Sequence, residues 1–249
     1  MGRPFKVVGH RGMPSRYPEN SLISIEKAIE AGVDAVEFDI HLTRDHRLVV
    51  THDDTVDRCS NGKGAVRDFS FDEIRALDFG SWKGKEFVGT RIPTFEETLD
   101  AILSRCAADF QILIEIKEDD EACTRLMLEE LRRRKIIDRC VVLSFFANQL
   151  ALLHAIEPEL QLQGFRMKDF HRTVSNVYDF LMRLCIWRDA LTAAEIEAFH
   201  KMNIQVDTCP VDNVEQLDHV LKFDVDTVTT NAADHLMPLL RERGLRPPE

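Results

Sequence analysis

Along the first half of the chain, two histidines, three carboxylates, an arginine and a lysine stand at the ends of short apolar runs. Gly9-His10-Arg11-Gly12 follows the run Phe5–Gly9, Glu37-Phe38-Asp39 ends the run Ala35–Ile40, His52-Asp53 ends Leu48–His52, and Glu115-Ile116-Lys117 ends Gln111–Lys117. Residues two apart in an extended strand share a face, so Glu37 and Asp39 point the same way, as do Glu115 and Lys117. Taken singly, each has an ordinary reading: a strand-end Asp solvates a turn or caps a helix, and a strand-end His makes a structural hydrogen bond. Taken together they do not. Charged groups inside a fold are costly unless paired or metal-bound. Three converging carboxylates repel without a cation, which points to oxygen ligation of Mg²⁺ or Ca²⁺. Arg11 and Lys117 then suit phosphate oxygens, and two imidazoles supply a base and an acid near neutral pH.

The elements that must position these groups alternate between strand-like and helix-like. Nine strand candidates run Phe5–Gly9, Ala35–Ile40, Leu48–His52, Gln111–Lys117, Val141–Phe145, Leu160–Phe165, Arg183–Arg188, Ile204–Cys209 and Val225–Asn231. Helical patterns over Ser21–Ala31, Phe95–Arg105, Glu118–Arg134, Ala147–Ile156, Thr192–Met202, Val214–Leu221 and His235–Arg243 separate nearly all of them. Thr94 and Thr192 stand where N-caps belong. Such alternation means βαβ units and a parallel sheet. Only His41 to Arg47 separate the second run from the third, too few residues for a helical crossover. Leu48–His52 is therefore expected to fold back as an antiparallel hairpin, with Glu37 roughly opposite His52. Eight parallel strands remain, which predicts a (β/α)8 barrel of the usual size, about 250 residues, as one domain over 1–249. Reacting groups in such a barrel sit at the C-terminal strand ends, where the charged residues lie. Residues 53–94 fit no βα pattern and read as an insertion at the barrel mouth, too poor in apolar residues for a core of its own.

Bulk properties narrow the partners. The 249 residues carry 32 Lys and Arg against 43 Asp and Glu, a net charge of −11. That excludes nucleic acid and anionic membrane surfaces, which are bound through clustered cations. The longest apolar stretch, Val141 to Ile156, is broken by Ser144, Asn148, Gln149 and His154, so no membrane insertion is expected. The six cysteines show no metal-ligand or disulfide spacing and read as reduced thiols. Met1 to Phe5 lead directly into a strand-like run without a signal peptide, and the cytoplasm is the expected compartment.

The motifs, in order, are His10-Arg11-Gly12, Pro18-Glu19-Asn20-Ser21, Glu37-Phe38-Asp39, His52-Asp53, Ser60-Asn61-Gly62-Lys63-Gly64, Ile92-Pro93-Thr94, Glu115-Ile116-Lys117 and Ser144-Phe145. This series resembles that of the glycerophosphodiester phosphodiesterases. The resemblance implies a barrel with an inserted mouth segment, a divalent cation, and hydrolysis of a small phosphodiester to glycerol 3-phosphate and an alcohol. It implies His10 and His52 as the acid–base pair, Glu37, Asp39 and Glu115 as metal ligands, and Arg11 and Lys117 as phosphate contacts. The C-terminal half departs from the family pattern: Cys209-Pro210-Val211-Asp212 stands where an aromatic and Thr-Val-Asn are usual, and Thr230-Asn231 where Thr-Asp is usual. The neighbourhood of Cys209 is therefore expected to bear on substrate preference. Two other readings compete: a related phosphodiesterase for sugar phosphodiesters or lysophospholipids, and a non-catalytic barrel that binds a phosphorylated ligand.

Overall fold

The structure is a computed structural model describing residues 5–247. The lead-in before Phe5 and the last two residues of the tail lie outside the described residues. Nine strands form the sheet: β1 (Lys6–His10), β2 (Ala35–Leu42), β3 (Leu48–Val50), β4 (Gln111–Ile116), β5 (Cys140–Leu143), β6 (Gln161–Phe165), β7 (Arg183–Trp187), β8 (Gln205–Cys209) and β9 (Thr227–Thr230). Their order is β1-β9-β8-β7-β6-β5-β4-β2, and a further β1–β2 pairing closes the ring. All eight ring pairings are parallel, giving the (β/α)8 barrel that the alternation of elements requires.

The third strand is the antiparallel exception, and its place follows from strand lengths. β1 pairs with β2 only over Ala35–Glu37, while β4 runs along the opposite edge up to Ile40. The eight-residue β2 therefore extends past β1, and β3 takes the vacated edge through Ile40↔Val50, His41↔Val49 and Leu42↔Leu48. The expected register is off by one residue. Asp39, not Phe38 or Glu37, accepts the backbone hydrogen bond of Thr51 (3.1 Å), so Glu37 has no partner on this hairpin and His52 lies beyond the strand. The turn decides the shift: Thr43 N–H donates to Arg47 O, and the three residues between include His46 in the left-handed region (φ 58°). A loop of that length centres the hairpin on Asp45.

Among the described residues eight α-helices accompany the strands: α1 (Leu22–Glu30), α2 (Phe71–Arg75), α3 (Phe95–Leu103), α4 (Glu121–Arg134), α5 (Ala147–Ile156), α6 (Ala193–Lys201), α7 (Val214–Val220) and α8 (Ala233–Glu242). Thr94 caps α3 in a reciprocal box with Glu97, and Thr192 caps α6. α4 starts three residues later than the pattern suggests, because Asp120 accepts from Ala122 N–H as its cap. Glu118, left outside the helix, binds His41 Nδ1 at 2.7 Å instead.

One large apolar cluster fills the space between barrel and helices. Residues 53–94 hold a second one, which corrects the expectation of a coreless insertion. Val56, Cys59, Val66, Ile74, Phe79 and Ile92 are buried together with Val49 of β3, and Phe69, Phe71 and Leu77 pack on them. The apolar residues are few but converge, helped by α2, whose Ser70–Glu73 capping box the periodicity missed. Ile74→Ala should cost about 2–4 kcal/mol within this cluster. Hydrogen exchange should accelerate over residues 53–94, with the barrel amides little changed; uniform acceleration would mean that the two clusters open as one.

Candidate active site

The turn after β1 is built to point several groups into the barrel mouth. Arg11 (φ 52°) and Gly12 (φ 83°) both lie in the left-handed region, where an L side chain is strained. At Gly12 a Cβ would meet the Ser24 and Ile25 backbone at 2.4–2.6 Å, so only glycine fits. The sharp turn aims Arg11 N–H at Glu37 Oε2 (3.0 Å). The Pro18-Glu19-Asn20-Ser21 segment locks it from above. Ser21 caps α1, Asn20 Nδ2 donates to Asp39 Oδ2 (2.8 Å), and Glu19 Oε1 accepts from Arg11 Nη1 (2.8 Å).

Glu37, Asp39 and Glu115 come together as the spacing implied. One oxygen from each lies within 4.8 Å of the others, and among the described residues this is the only such group of metal-ligating side chains found. All three are buried, and Asp39 is 0% exposed. Burial and the neighbouring carboxylates push Glu37 well above the usual carboxylate range and Glu115 upward too. The Asp39 carboxyl is also desolvated, yet Lys117 and Arg11 hold it below its ordinary value. Two inward oxygens, Glu37 Oε1 and Asp39 Oδ1, are buried without a hydrogen-bond partner. Orphaned carboxylate oxygens that converge are what a hard divalent cation needs, so the donor set fits Mg²⁺ or Ca²⁺.

The two cations answer the same charge. Lys117 Nζ lies 2.6 Å from Glu115 Oε1 and 3.6 Å from Asp39 Oδ1, and Arg11 Nε lies 3.4 Å from Asp39 Oδ2. Six of the seven expected residues, His10, Arg11, Glu37, His52, Glu115 and Lys117, line one cavity of about 130 Å³; Asp39 lies just behind them.

Each histidine has an Nδ1 partner that the sequence did not single out for that role. His10 Nδ1 lies 2.7 Å from Asn231 Oδ1 at the end of β9. The Asn231 amide is not free to turn, because Asp212 Oδ2 accepts from its Nδ2 (2.9 Å) and Asp212 Oδ1 from its backbone N–H (2.6 Å). A carboxylate accepts only, so Asn231 must show its oxygen to His10. Nδ1 of His10 then carries the proton and Nε2 presents a lone pair. Burial and the Arg11 charge push His10 down to about 4, which keeps the ring neutral. His52 Nδ1 lies 2.7 Å from Asp53 Oδ1, so a carboxylate backs this ring instead.

Asp53 is anchored by the insertion. Arg58 donates to both Asp53 oxygens (2.7 and 2.9 Å) and to both Glu19 oxygens (2.8 Å each). One guanidinium thus ties His52, through Asp53, to Arg11, through Glu19. These contacts hold the Asp53 carboxyl far below its usual range. Glu19 and Asp53 sit inside motifs that could have flagged them, and Asp212 ends the segment that departs from the family pattern; Arg58 carries no local signal.

The far side of the cavity belongs to β5–β9, with Leu143, Phe145, Gln163, Phe165, Cys185, Trp187, Asp207, Cys209 and Thr229. Cys209 does face the cavity. It lies 3.5 Å, sulfur to sulfur, from Cys185, a spatial pair with no counterpart in sequence spacing. All six cysteines are unpaired by disulfides. Burial pushes the Asp207 carboxyl up to about 6, against the pull of the Arg183 charge and the Thr229 hydroxyl.

A (β/α)8 barrel with a buried carboxylate triad flanked by two oriented histidines defines a hydrolase-type mouth. The description Glycerophosphoryl diester phosphodiesterase family matches residues 10–235, and the chain belongs to this family of enzymes. A glycerophosphodiester phosphodiesterase of Caldanaerobacter subterraneus subsp. tengcongensis is 29% identical over 249 residues, covering 96% of this chain and 98% of that protein. Another, of Bacillus altitudinis, is 29% identical over 95% of this chain and 98% of its own length. Among solved structures, a glycerophosphoryl diester phosphodiesterase from Silicibacter pomeroyi shares the fold with a TM-score of 0.85 at 24% identity, over 98% of this chain and 96% of that one. An Oleispira antarctica phosphodiesterase, solved in complex with the product sn-glycerol-3-phosphate, superposes with a TM-score of 0.83 at 22% identity, over 95% and 96% of the two chains.

Asp212→Asn frees the Asn231 amide to flip and lets His10 sample the wrong tautomer. Turnover should fall about tenfold or more. The ring ¹⁵N shifts of His10 should move from a pure Nδ1–H form to a mixture. Unchanged shifts would show that Asp212 does not set the tautomer.

Proposed function

We propose that this chain hydrolyses glycerophosphodiesters to glycerol 3-phosphate and an alcohol, with one divalent cation bound and His10 and His52 as base and acid. The observation that carries the reading is the convergence of three carboxylates, two cations and two Nδ1-anchored imidazoles in one cavity. Family membership supports it, as does the product bound by the Oleispira antarctica protein.

Glu37, Asp39 and Glu115 would hold Mg²⁺ or Ca²⁺, whose chemistry here is charge: it polarises the phosphodiester and offsets the negative charge gathered in the transition state. Arg11 and Lys117 bind the non-bridging phosphate oxygens. Both neutralise carboxylates in this structure, and would turn to the substrate if a bound cation took over that charge. Neutral His10 takes the proton of the attacking hydroxyl at Nε2 while Asn231 keeps the ring oriented. His52, backed by the Asp53 carboxylate, is suited to carry positive charge and gives its Nε2 proton to the departing alkoxide. Aromatic and aliphatic side chains of the β5–β7 wall keep water from the alcohol side.

Among the described residues no helix is long and apolar enough to cross a membrane. With six unbridged cysteines, the proposed setting is the cytoplasm and the proposed partner a small water-soluble diester.

A panel of phosphodiesters assayed with EDTA and with metal add-back tests the reading directly. Activity should vanish on chelation and return with Mg²⁺ or Ca²⁺, and Zn²⁺ should serve less well at an all-oxygen site. Glu115→Gln should weaken metal affinity and turnover together; full retention of both would remove Glu115 from the site. His10→Ala and His52→Ala should each lower turnover by about 10²–10⁴-fold with little effect on melting temperature. A lower melting temperature with an unchanged rate per folded molecule would reduce either histidine to packing.

A further inference from the structure

The cavity has two chemically different halves, and only one is used by the mechanism above. The half on β1–β4 carries the cations that meet a phosphate. Among the described residues lining the other half, from β5 to β9, Asp207 alone is charged. It is 2% exposed and its carboxylate accepts from Thr229 Oγ1 at 3.0 and 3.3 Å. Beneath it lies Arg183, which is 1% exposed and contributes Nη2 to Gln111 Oε1, with Nε and Nη1 unpartnered. No ion pair within 4.0 Å joins Arg183 to Asp207 among the described residues, so the Arg183 charge acts on the carboxylate from a distance without covering it. The Thr229 hydroxyl occupies only part of the carboxylate's capacity to accept, and its cavity side offers further acceptor positions to a partner.

The surrounding rings narrow what that partner is. Phe145 and Phe165 stack face to face at 3.7 Å, with His171 on Phe145 and Trp187 on Phe165. Phe145 and Phe165 cover one face of each other, and Lys117 Nζ lies 5.7 Å over the Phe145 ring, so the rings line this half as an apolar wall. Recognition falls to the carboxylate, which prefers a group that is positively charged and donates hydrogen bonds.

Resting on the phosphodiesterase reading, we propose that Asp207 is a specificity residue that receives the primary ammonium group of the substrate's alcohol portion, making amino-alcohol diesters such as glycerophosphoethanolamine the favoured class. The substrate is then a zwitterion laid across the cavity, with phosphate at Arg11 and Lys117 and ammonium at Asp207. Charge complementarity at both ends discriminates against neutral alcohols, which leave the buried carboxylate without a charged donor.

The test compares glycerophosphoethanolamine with its neutral isostere, the ethylene glycol diester, using the metal-loaded enzyme. Wild type should favour the ammonium substrate in kcat/KM by about tenfold to a hundredfold, the worth of one hydrogen bond to a charged group. Asp207→Asn should collapse that ratio towards one. A second arm needs no variant: free ethanolamine should compete with the neutral diester in wild type at concentrations where ethylene glycol does not. A preference below about twofold in wild type, or equal inhibition by the two free alcohols, overturns the inference while leaving the phosphodiesterase reading standing. Equal scaling of both substrates in Asp207→Asn also overturns it, since Asp207 would then meet the glycerol portion common to both. Failure to hydrolyse any glycerophosphodiester overturns the parent reading and this inference with it.

Discussion

Mutual repulsion among three buried carboxylates organises the mouth of this barrel. Glu37, Asp39 and Glu115 project from two neighbouring strands, and Asp39 is fully enclosed, so their charges cannot be dissipated into water. Such a group persists only if the surroundings supply positive charge, and every feature nearby does so. Lys117 sits on the same face as Glu115, two residues on, and the strained turn at Arg11 and Gly12 brings a guanidinium to Asp39 and a backbone N–H to Glu37. Even so, two oxygens lack a hydrogen-bond partner, and a divalent cation would satisfy both.

The histidines depend on the same charge balance in opposite ways. His10, buried beside Arg11 and backed by an amide, stays neutral and keeps a lone pair available. His52, backed by a carboxylate, has its positive form compensated whenever it forms. Two identical side chains thus acquire different chemistry from their Nδ1 partners. Arg58 couples the second of these, through Glu19, to Arg11, which gives the inserted segment a role beyond covering the mouth. Its small apolar cluster makes that role possible, because a guanidinium making four hydrogen bonds must be held on a stable scaffold.

The barrel interior is polar on the side away from Glu37, Asp39 and Glu115. Gln163, Arg183, Asp207 and Thr227 occupy inward positions where aliphatic residues are usual, and several of their atoms lack partners. This polarity destabilises the core relative to an apolar filling.

Much of the architecture was legible in the linear chain because it rests on local periodicity. Period-two alternation placed Glu37 with Asp39 and Glu115 with Lys117, and a seven-residue connection forbade a crossover and forced the β2–β3 hairpin. The seven expected site residues all lie at strand ends or in the turns beside them, where barrel geometry collects them whatever the details of packing. What the chain alone left open depends on contacts between distant segments. The hairpin register turned on the conformation of His46, the core of residues 53–94 on how a few scattered apolar side chains converge, and the Cys185–Cys209 proximity on the stagger of β7 and β8. The Asn231–Asp212 pair behind His10 and the Arg58 hub behind His52 join residues far apart in sequence. Hydrogen bonds of 2.6–2.9 Å specify a proton's position, and only tertiary structure brings their partners within that distance.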